Sequence, residues 1–442
     1  MYNYSGDIMD DREKTELLEI DETNKSIKNN KKLVFFRTLP LIFIPALVVL
    51  TIISLHSTRL VFVPLNYFVY IMLSLFILLF IIGLFTKNKR SKKKHYLAKT
   101  ILILYTTGCI IFTTLLYGPY DKFRTWLIST AMATMNHQYL CKWFYSDKEI
   151  IMVLNSNYII EIDENTDPSL INSKESTKYE NKYEEQILKR DKNQKYKLIT
   201  MEVNGQKAYL AAVYDPSKVK VGVTSALGRY GQYATTMAKN NKAILAVNGG
   251  GFYDPGNRST GGMPTGITIA GGKIITNNNY SSYTQSGGII GFNKDNVLML
   301  MKDTTANKAI QMGVRDAISW GPFLIVNGKK SFIKGNGGWG YAARTAIGQR
   351  KDGIVLLLVI DSNATRTKGA DMTDLTEIMS NYGAVNAANL DGGTSSVMVL
   401  PKNEALKYND ACRDDYCYIN DPIDSSLAHK TRGIATTIIV TE

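Results

Sequence analysis

Three loops of this 442-residue sequence hold residue types able to do chemistry. Asn248 closes the apolar run 243–247 and is followed by Gly249, Gly250 and Gly251. A polar residue at the rim of a buried strand, then glycines, lets backbone approach a ligand closely. Neither a Walker loop nor a dinucleotide fingerprint follows, and a plain turn is the competing reading. Arg344 and Thr345 lie among small residues in Ala342–Gly348. A guanidinium there can grip phosphate or carboxylate through two parallel bonds, or stand as an exposed strand arginine. Asp361 ends the apolar run 353–360, and Asp391 opens Gly392-Gly393-Thr394-Ser395-Ser396. A carboxylate at the end of a buried strand is costly unless paired or used. The small residues after Asp391 offer successive N–H groups and hydroxyls, a nest for phosphate oxygens, with an Asp-Gly-Gly hairpin turn as the alternative.

Scarcity narrows the chemistry. The chain has four histidines, and beyond residue 195 only His429 remains. A multi-histidine zinc site and HExxH are therefore excluded there, and a Ser-His-Asp triad would have to rest on that single imidazole. Acid–base work falls to the carboxylates Asp361 and Asp391. Cys412 and Cys417, with four residues between them in a polar loop, read as a disulfide rather than a nucleophile if that loop faces an oxidising compartment. No cofactor is indicated, and assistance by a divalent cation stays open.

The elements positioning these residues are mostly strands. From about residue 196, short Val- and Ile-rich runs alternate with Gly, Asn and Asp turns, the pattern of a β-rich α+β domain over 196–442. Helices are expected at 226–240 and 371–383, the second with Met372, Leu375, Ile378, Met379 and Tyr382 on one face and Asp371 or Thr373 as cap. Strand 353–361, this helix and strand 384–390 together read as a βαβ unit.

The net charge of +13 could suggest nucleic acid. Seven Lys or Arg residues, however, crowd into 87–99, between two apolar stretches, which reads as a membrane-flanking loop. Residues 33–55, 61–85 and 100–117 are expected as three transmembrane helices within a membrane region at 33–118, each long enough for, or close to, a bilayer core of about 30 Å. Lys25, Lys28, Lys31 and Lys32 precede the first stretch, and only Arg59 lies between the first two. The positive-inside rule then puts tail 1–32 in the cytoplasm and everything after 118 outside a multi-pass plasma-membrane protein. Segment 119–195 reads as a juxtamembrane stretch, with an interfacial helix at 123–141 and a solvated polar linker or stalk at 160–195 with room for a short charged helix. Nucleic acid is not an expected partner, and the oligomeric state is left open.

The motifs NGGGFY, ISWGPFLIVNGK, ARTAIG, LLLVID and NLDGGTSS, in this order, resemble those of the phosphodiester glycosidase family, over roughly 200–440. The sequence departs from the family pattern by Thr394 in place of a third glycine and by an extra glycine after Asn248. The resemblance implies that Asn248, Arg344, Asp361 and Asp391 line a site cleaving a sugar-1-phosphodiester in a cell-surface or exopolysaccharide glycan. Gly249, Gly250, Thr345 and residues 392–396 would cradle the phosphate. A phosphorylated glycan is the expected partner. A membrane-tethered, non-catalytic glycan- or teichoic-acid-binding protein is the alternative.

Overall fold

The computed structural model describes the chain except residues 1–10, 57–73, 75–95, 134–137, 173–178, 255–259, 280–286, 364–368 and 423–430. The described chain divides into two bodies, one of residues 1–127 and 139–151, the other of 128–138 and 152–442.

The first body is helical. Helix Asp11–His56 packs against helix Tyr96–Tyr117, with Leu47, Ile53 and Leu116 buried. Ile42, Phe43 and Leu55 on the first helix, and Ile103, Leu104 and Ile110 on the second, remain exposed. Of the three expected spans, 33–55 and 100–117 fall on described residues, the latter inside helix Tyr96–Tyr117, and neither helix passes by itself as a membrane span. Stretch 33–55 belongs to one helix that already begins at Asp11, inside the expected tail, because the acidic and basic residues before it continue a helical run. Stretch 61–85 lies outside the described residues except Ser74. Among the described residues no single helix is long and apolar enough to cross a membrane, although Leu102–Tyr117 and Asp121–Met132, bent by 73°, pass that test together.

The second body is built on three antiparallel sheets. We number the strands of these sheets β1 (Tyr196–Val203), β2 (Gln206–Val213), β3 (Val219–Val223), β4 (Leu245–Asn248), β5 (Ile267–Ala270), β6 (Lys273–Asn277), β7 (Gly288–Asn293), β8 (Leu298–Met301) and β9 (Val314–Trp320). They continue as β10 (Phe323–Val326), β11 (Lys329–Lys330), β12 (Arg344–Arg350), β13 (Val355–Ile360), β14 (Ala384–Asn389), β15 (Met398–Pro401), β16 (Tyr416–Tyr418) and β17 (Thr436–Val440). The largest sheet runs β11-β10-β14-β12-β13-β2-β1; the two smaller ones run β8-β7-β9-β5-β6 and β16-β15-β4-β17-β3.

Both faces of the large sheet are covered. Tyr209, Ala211, Val213, Leu357 and Val359 point into a core shared with the smaller sheets. Ala208, Leu210, Leu356, Leu358 and Ile360 point the other way, onto helices Lys182–Leu188 and Met372–Asn381. Double burial is why these strands read as continuous apolar runs rather than alternating ones.

Three expectations need correcting. The βαβ reading of 353–390 is right in its elements, but β12 lies between β13 and β14 and pairs antiparallel with both. Of 226–240 only Ala234–Asn240 is helical; the Gly228 φ of +79° breaks the helix before it. The linker at 160–195 is not freely solvated. Tyr158–Ile160 pairs with Phe332–Lys334, Glu161 accepts from the N–H groups of Gly287 and Phe323, and Thr166 bonds both ways with Leu300 on edge strand β8. Polar composition here satisfies backbone groups along a sheet edge instead of water.

Candidate active site

The large sheet and the β16-β15-β4-β17-β3 sheet meet where β4 and β14 end and β12 begins. Asn248 joins them. Its buried amide donates to Asp391 O at 2.6 Å and accepts from Thr345 Oγ1 at 2.7 Å and Val397 N at 3.2 Å. Thr345 Oγ1 also reaches Ser396 Oγ at 3.1 Å. Asn248, Thr345 and Ser396 thus form a satisfied buried network, which rigidifies a junction. Their polar groups bond one another and neighbouring backbone, which braces the site.

The glycine run has a packing cause. Gly249 N donates to Thr436 O and Gly250 N to Thr436 Oγ1. A Cβ on Gly250 would lie 2.8 Å from Ser319 O, and one on Gly251 would enter the Trp320 indole. The close approach expected here is to β9 and β17 rather than to a ligand.

Asp391 follows β14 and is surrounded by protein, yet part of its surface stays open, as at the floor of a cleft. Burial raises its pKa; the Ser395 hydroxyl, the Arg432 charge, the Gly392 N–H and the Arg344 charge pull it back. The Gly392 N–H bond to Asp391 Oδ1 is 2.9 Å. Ser395 Oγ lies against the carboxyl outside regular hydrogen-bond geometry, and the buried Thr394 Oγ1 likewise has no partner in the protein.

Around them, the backbone nest is occupied. Gly392 N serves Asp391, Gly393 N donates to Ala343 O, Ser395 N to Gly392 O and Ser396 N to Gly393 O. The 3-10 turn Gly393–Ser395 consumes the donors that an extended nest would aim outward. The Ser395 hydroxyl bears on Asp391, and most of the amides are spent on the protein's own carbonyls.

Arg344 is buried, 4% exposed, and not an exposed strand arginine. Nε donates to Ala370 O at 3.1 Å and Nη2 to the carbonyls of Trp339 and Gly340, both at 2.7 Å. Nη1 lies on the Gly392 side of the group. Its charge is felt at Asp391 and Asp371, but much of its donor capacity fixes backbone. The second cation near Asp391 is Arg432, which sequence reasoning missed. Its guanidinium sits 5.7 Å from the Phe252 ring centroid, and Nε has no hydrogen-bond partner. A signal was present: Thr431-Arg432-Gly433 precedes strand β17 just as Ala343-Arg344-Thr345 enters β12.

Asp361 is placed differently. It follows β13, separated from Asp391 by strand β12, so their backbones stand about 10 Å apart at the usual strand spacing. Oδ1 accepts from Asn420 Nδ2 at 2.9 Å and Oδ2 from Asp421 N at 3.2 Å. Burial raises its pKa against those two bonds, and the Asp421 carboxylate raises it further. Neither aspartate figures among the groups that shift the other. The structure thus brings Arg344, Asp391, Thr394 and Ser395 together with Arg432 and puts Asp361 in a neighbouring cluster. Cys412 and Cys417 are joined by a disulfide, Cα atoms 5.7 Å apart.

Residues 241–441, within the second body, match the model of the phosphodiester glycosidase family. Among curated proteins, the chain is 24% identical over 237 residues to the SPbeta prophage-derived uncharacterized protein YomE of Bacillus subtilis, covering 51% of this chain and 35% of that one. It is 36% identical over 74 residues to the N-acetylglucosamine-1-phosphodiester alpha-N-acetylglucosaminidase of Bos taurus, covering 17% and 14%. The chain therefore spans about a third or less of these relatives. The solved catalytic domain of the zebrafish N-acetylglucosamine-1-phosphodiester alpha-N-acetylglucosaminidase, auto-inhibited by its pro-peptide, aligns with TM-score 0.43 and 21% identity over 57% of this chain and 85% of that one.

Proposed function

We propose that this protein hydrolyses a sugar-1-phosphodiester, with Asp391 as the proton-transferring carboxyl. The observation that carries the reading is one part-open carboxyl of raised pKa that lies in the field of two guanidinium groups and against the Ser395 hydroxyl, in the segment that matches the phosphodiester glycosidase family. Arg432, with Thr394 and Ser395, holds the phosphate; Arg344 supplies fixed positive charge from beneath. Because Asp391 lies in the field of both cations, it faces the leaving phosphate. Protonated, it donates to the bridging oxygen as the bond to the anomeric carbon breaks. Water adds to that carbon and returns a proton to Asp391, giving free sugar and a phosphate monoester. Developing charge on the phosphate is met by preorganised cations. Asp361 acts on position, tying residues 420–421 to β13.

A cell-surface or exopolysaccharide substrate and a membrane anchor complete the proposal. The exposed apolar faces of the two long helices support the anchor, as does the hydropathy of 33–55, 61–85 and 100–117. A second reading, a tethered phosphoglycan binder, is favoured by the separation of Asp361 from Asp391. Incubating the full-length protein with a sugar-1-phosphodiester separates the two. Release of reducing sugar and phosphate monoester supports the hydrolase, whereas binding without release from any sugar phosphodiester leaves the binder.

A further inference from the structure

The two long helices of the first body end together. The His56 ring stacks on that of Tyr117 at 4.2 Å, and each residue is the last of its helix, so the helices run parallel and share one end. Their exposed apolar side chains continue up to that end, through Ile110, Ile111, Phe112 and Leu115 on the second helix and Leu55 on the first.

A short helix, Gln138–Phe144, lies along the same end. Phe144 meets Phe112 edge-on, ring centroids 5.9 Å apart, and its carbonyl accepts from the Tyr117 hydroxyl at 2.8 Å. Next to it, the Tyr145 hydroxyl donates to Leu116 O at 3.1 Å. These contacts hold the short helix beside the last turns of the second helix, where the rise from Phe112 to Tyr117 is about 7.5 Å. The short helix has two faces. Cys141 is buried, its Sγ 3.4 Å from Leu127 O. Tyr139 and Trp143, four residues apart and so on one face, turn away from it. Their ring centroids are 4.9 Å apart, and they are 46% and 49% exposed. Tyr120, just past the end of the second helix, is 55% exposed. Tryptophan and tyrosine carry an apolar body and a polar tip, which the boundary between acyl chains and headgroups favours. An apolar helix surface that ends in such rings follows the order met on leaving hydrocarbon for headgroups.

We propose that Tyr139 and Trp143, with Tyr120, seat this end of the helix pair in the headgroup layer of a bilayer, the helix Gln138–Phe144 lying in the interface. The proposal rests on the membrane-anchor reading and goes beyond it by fixing the edge of the bilayer at residues 112–117. The full-length protein is reconstituted into phosphatidylcholine–phosphatidylglycerol vesicles. Trp143 emission is read as the difference between the parent and Trp143→Phe, which removes one of four tryptophans and keeps an aromatic ring. Phosphatidylcholine brominated near the carbonyl end of its chains should quench that emission about twofold or more beyond phosphatidylcholine brominated near the chain ends. Flotation of the vesicles reads the anchor separately. Protein that floats while neither lipid quenches Trp143 overturns the seat and leaves the anchor standing. Stronger quenching from the chain ends puts the ring in hydrocarbon and overturns the seat as well. Protein that does not float with the vesicles removes both.

Discussion

Asp391 and the two arginines meet different physical demands, so their variants should fail in different ways. Asp391→Asn keeps shape and the bond from Gly392 N but cannot give a proton. Turnover should fall by about 10²-fold or more with substrate affinity retained, as rate and binding measurements on one preparation will show; normal turnover would remove Asp391 from the mechanism. The pH profile carries a sign. The acid form of Asp391 is lost as pH rises through its raised pKa, so the rate should fall on the alkaline side. Arg432 holds that pKa down; Arg432→Gln should therefore move the alkaline limb to higher pH while weakening substrate binding, and an unmoved limb would separate Arg432 from Asp391. Arg344 behaves otherwise. Sequence alone suggests a strand-end residue whose loss spares the fold, but three carbonyls depend on it. Arg344→Gln should cost on the order of 3 kcal/mol of stability, read from denaturant unfolding, whereas Arg432→Gln should unfold like the parent.

At the scale of elements, what the sequence revealed and what it hid divide along covalent distance. Strands β12, β13 and β14 are legible because double burial writes continuous apolar runs, and helix Met372–Asn381 because its apolar face is periodic and Asp371 caps it with Asp374 in a capping box. Hidden was the insertion of β12 between β13 and β14, since pairing order is not written in local periodicity. That insertion puts a strand between Asp361 and Asp391, a separation that two aspartates closing similar apolar runs do not reveal. Arg432 was hidden for a related reason: it is 41 residues beyond Asp391 in sequence and meets it only through the fold. The segment 158–171 was obscured by its polarity. Its carboxylate Glu161 receives two backbone N–H bonds, and those donors lose their partner in Glu161→Ala. That variant should lose about 2–4 kcal/mol and become open to limited proteolysis between residues 160 and 172. An unchanged digestion pattern would show that the segment is held by other contacts.

For the whole molecule, the proposed membrane anchor raises the question of which side the second body would occupy, and three features of the chain bear on it. The cation-rich stretch 87–99 lies between apolar stretches, where positive charge is retained in the cytoplasm. The two long helices leave Ile42, Phe43, Leu55, Ile103, Leu104 and Ile110 uncovered, surface that water disfavours and lipid accepts. The Cys412–Cys417 disulfide of the other body persists in oxidising surroundings. Together they lead to the proposed arrangement, with residues 87–99 inside and the domain outside. A reporter enzyme active only outside the cell should be active when fused after residue 145 and silent when fused near residue 92. Peptide mapping of protein isolated without reductant should find Cys412 linked to Cys417. The two measurements must agree. An active fusion at 92 with a silent one at 145 would put the domain in the cytoplasm, where both thiols should be free and the cell-surface substrate would be out of reach.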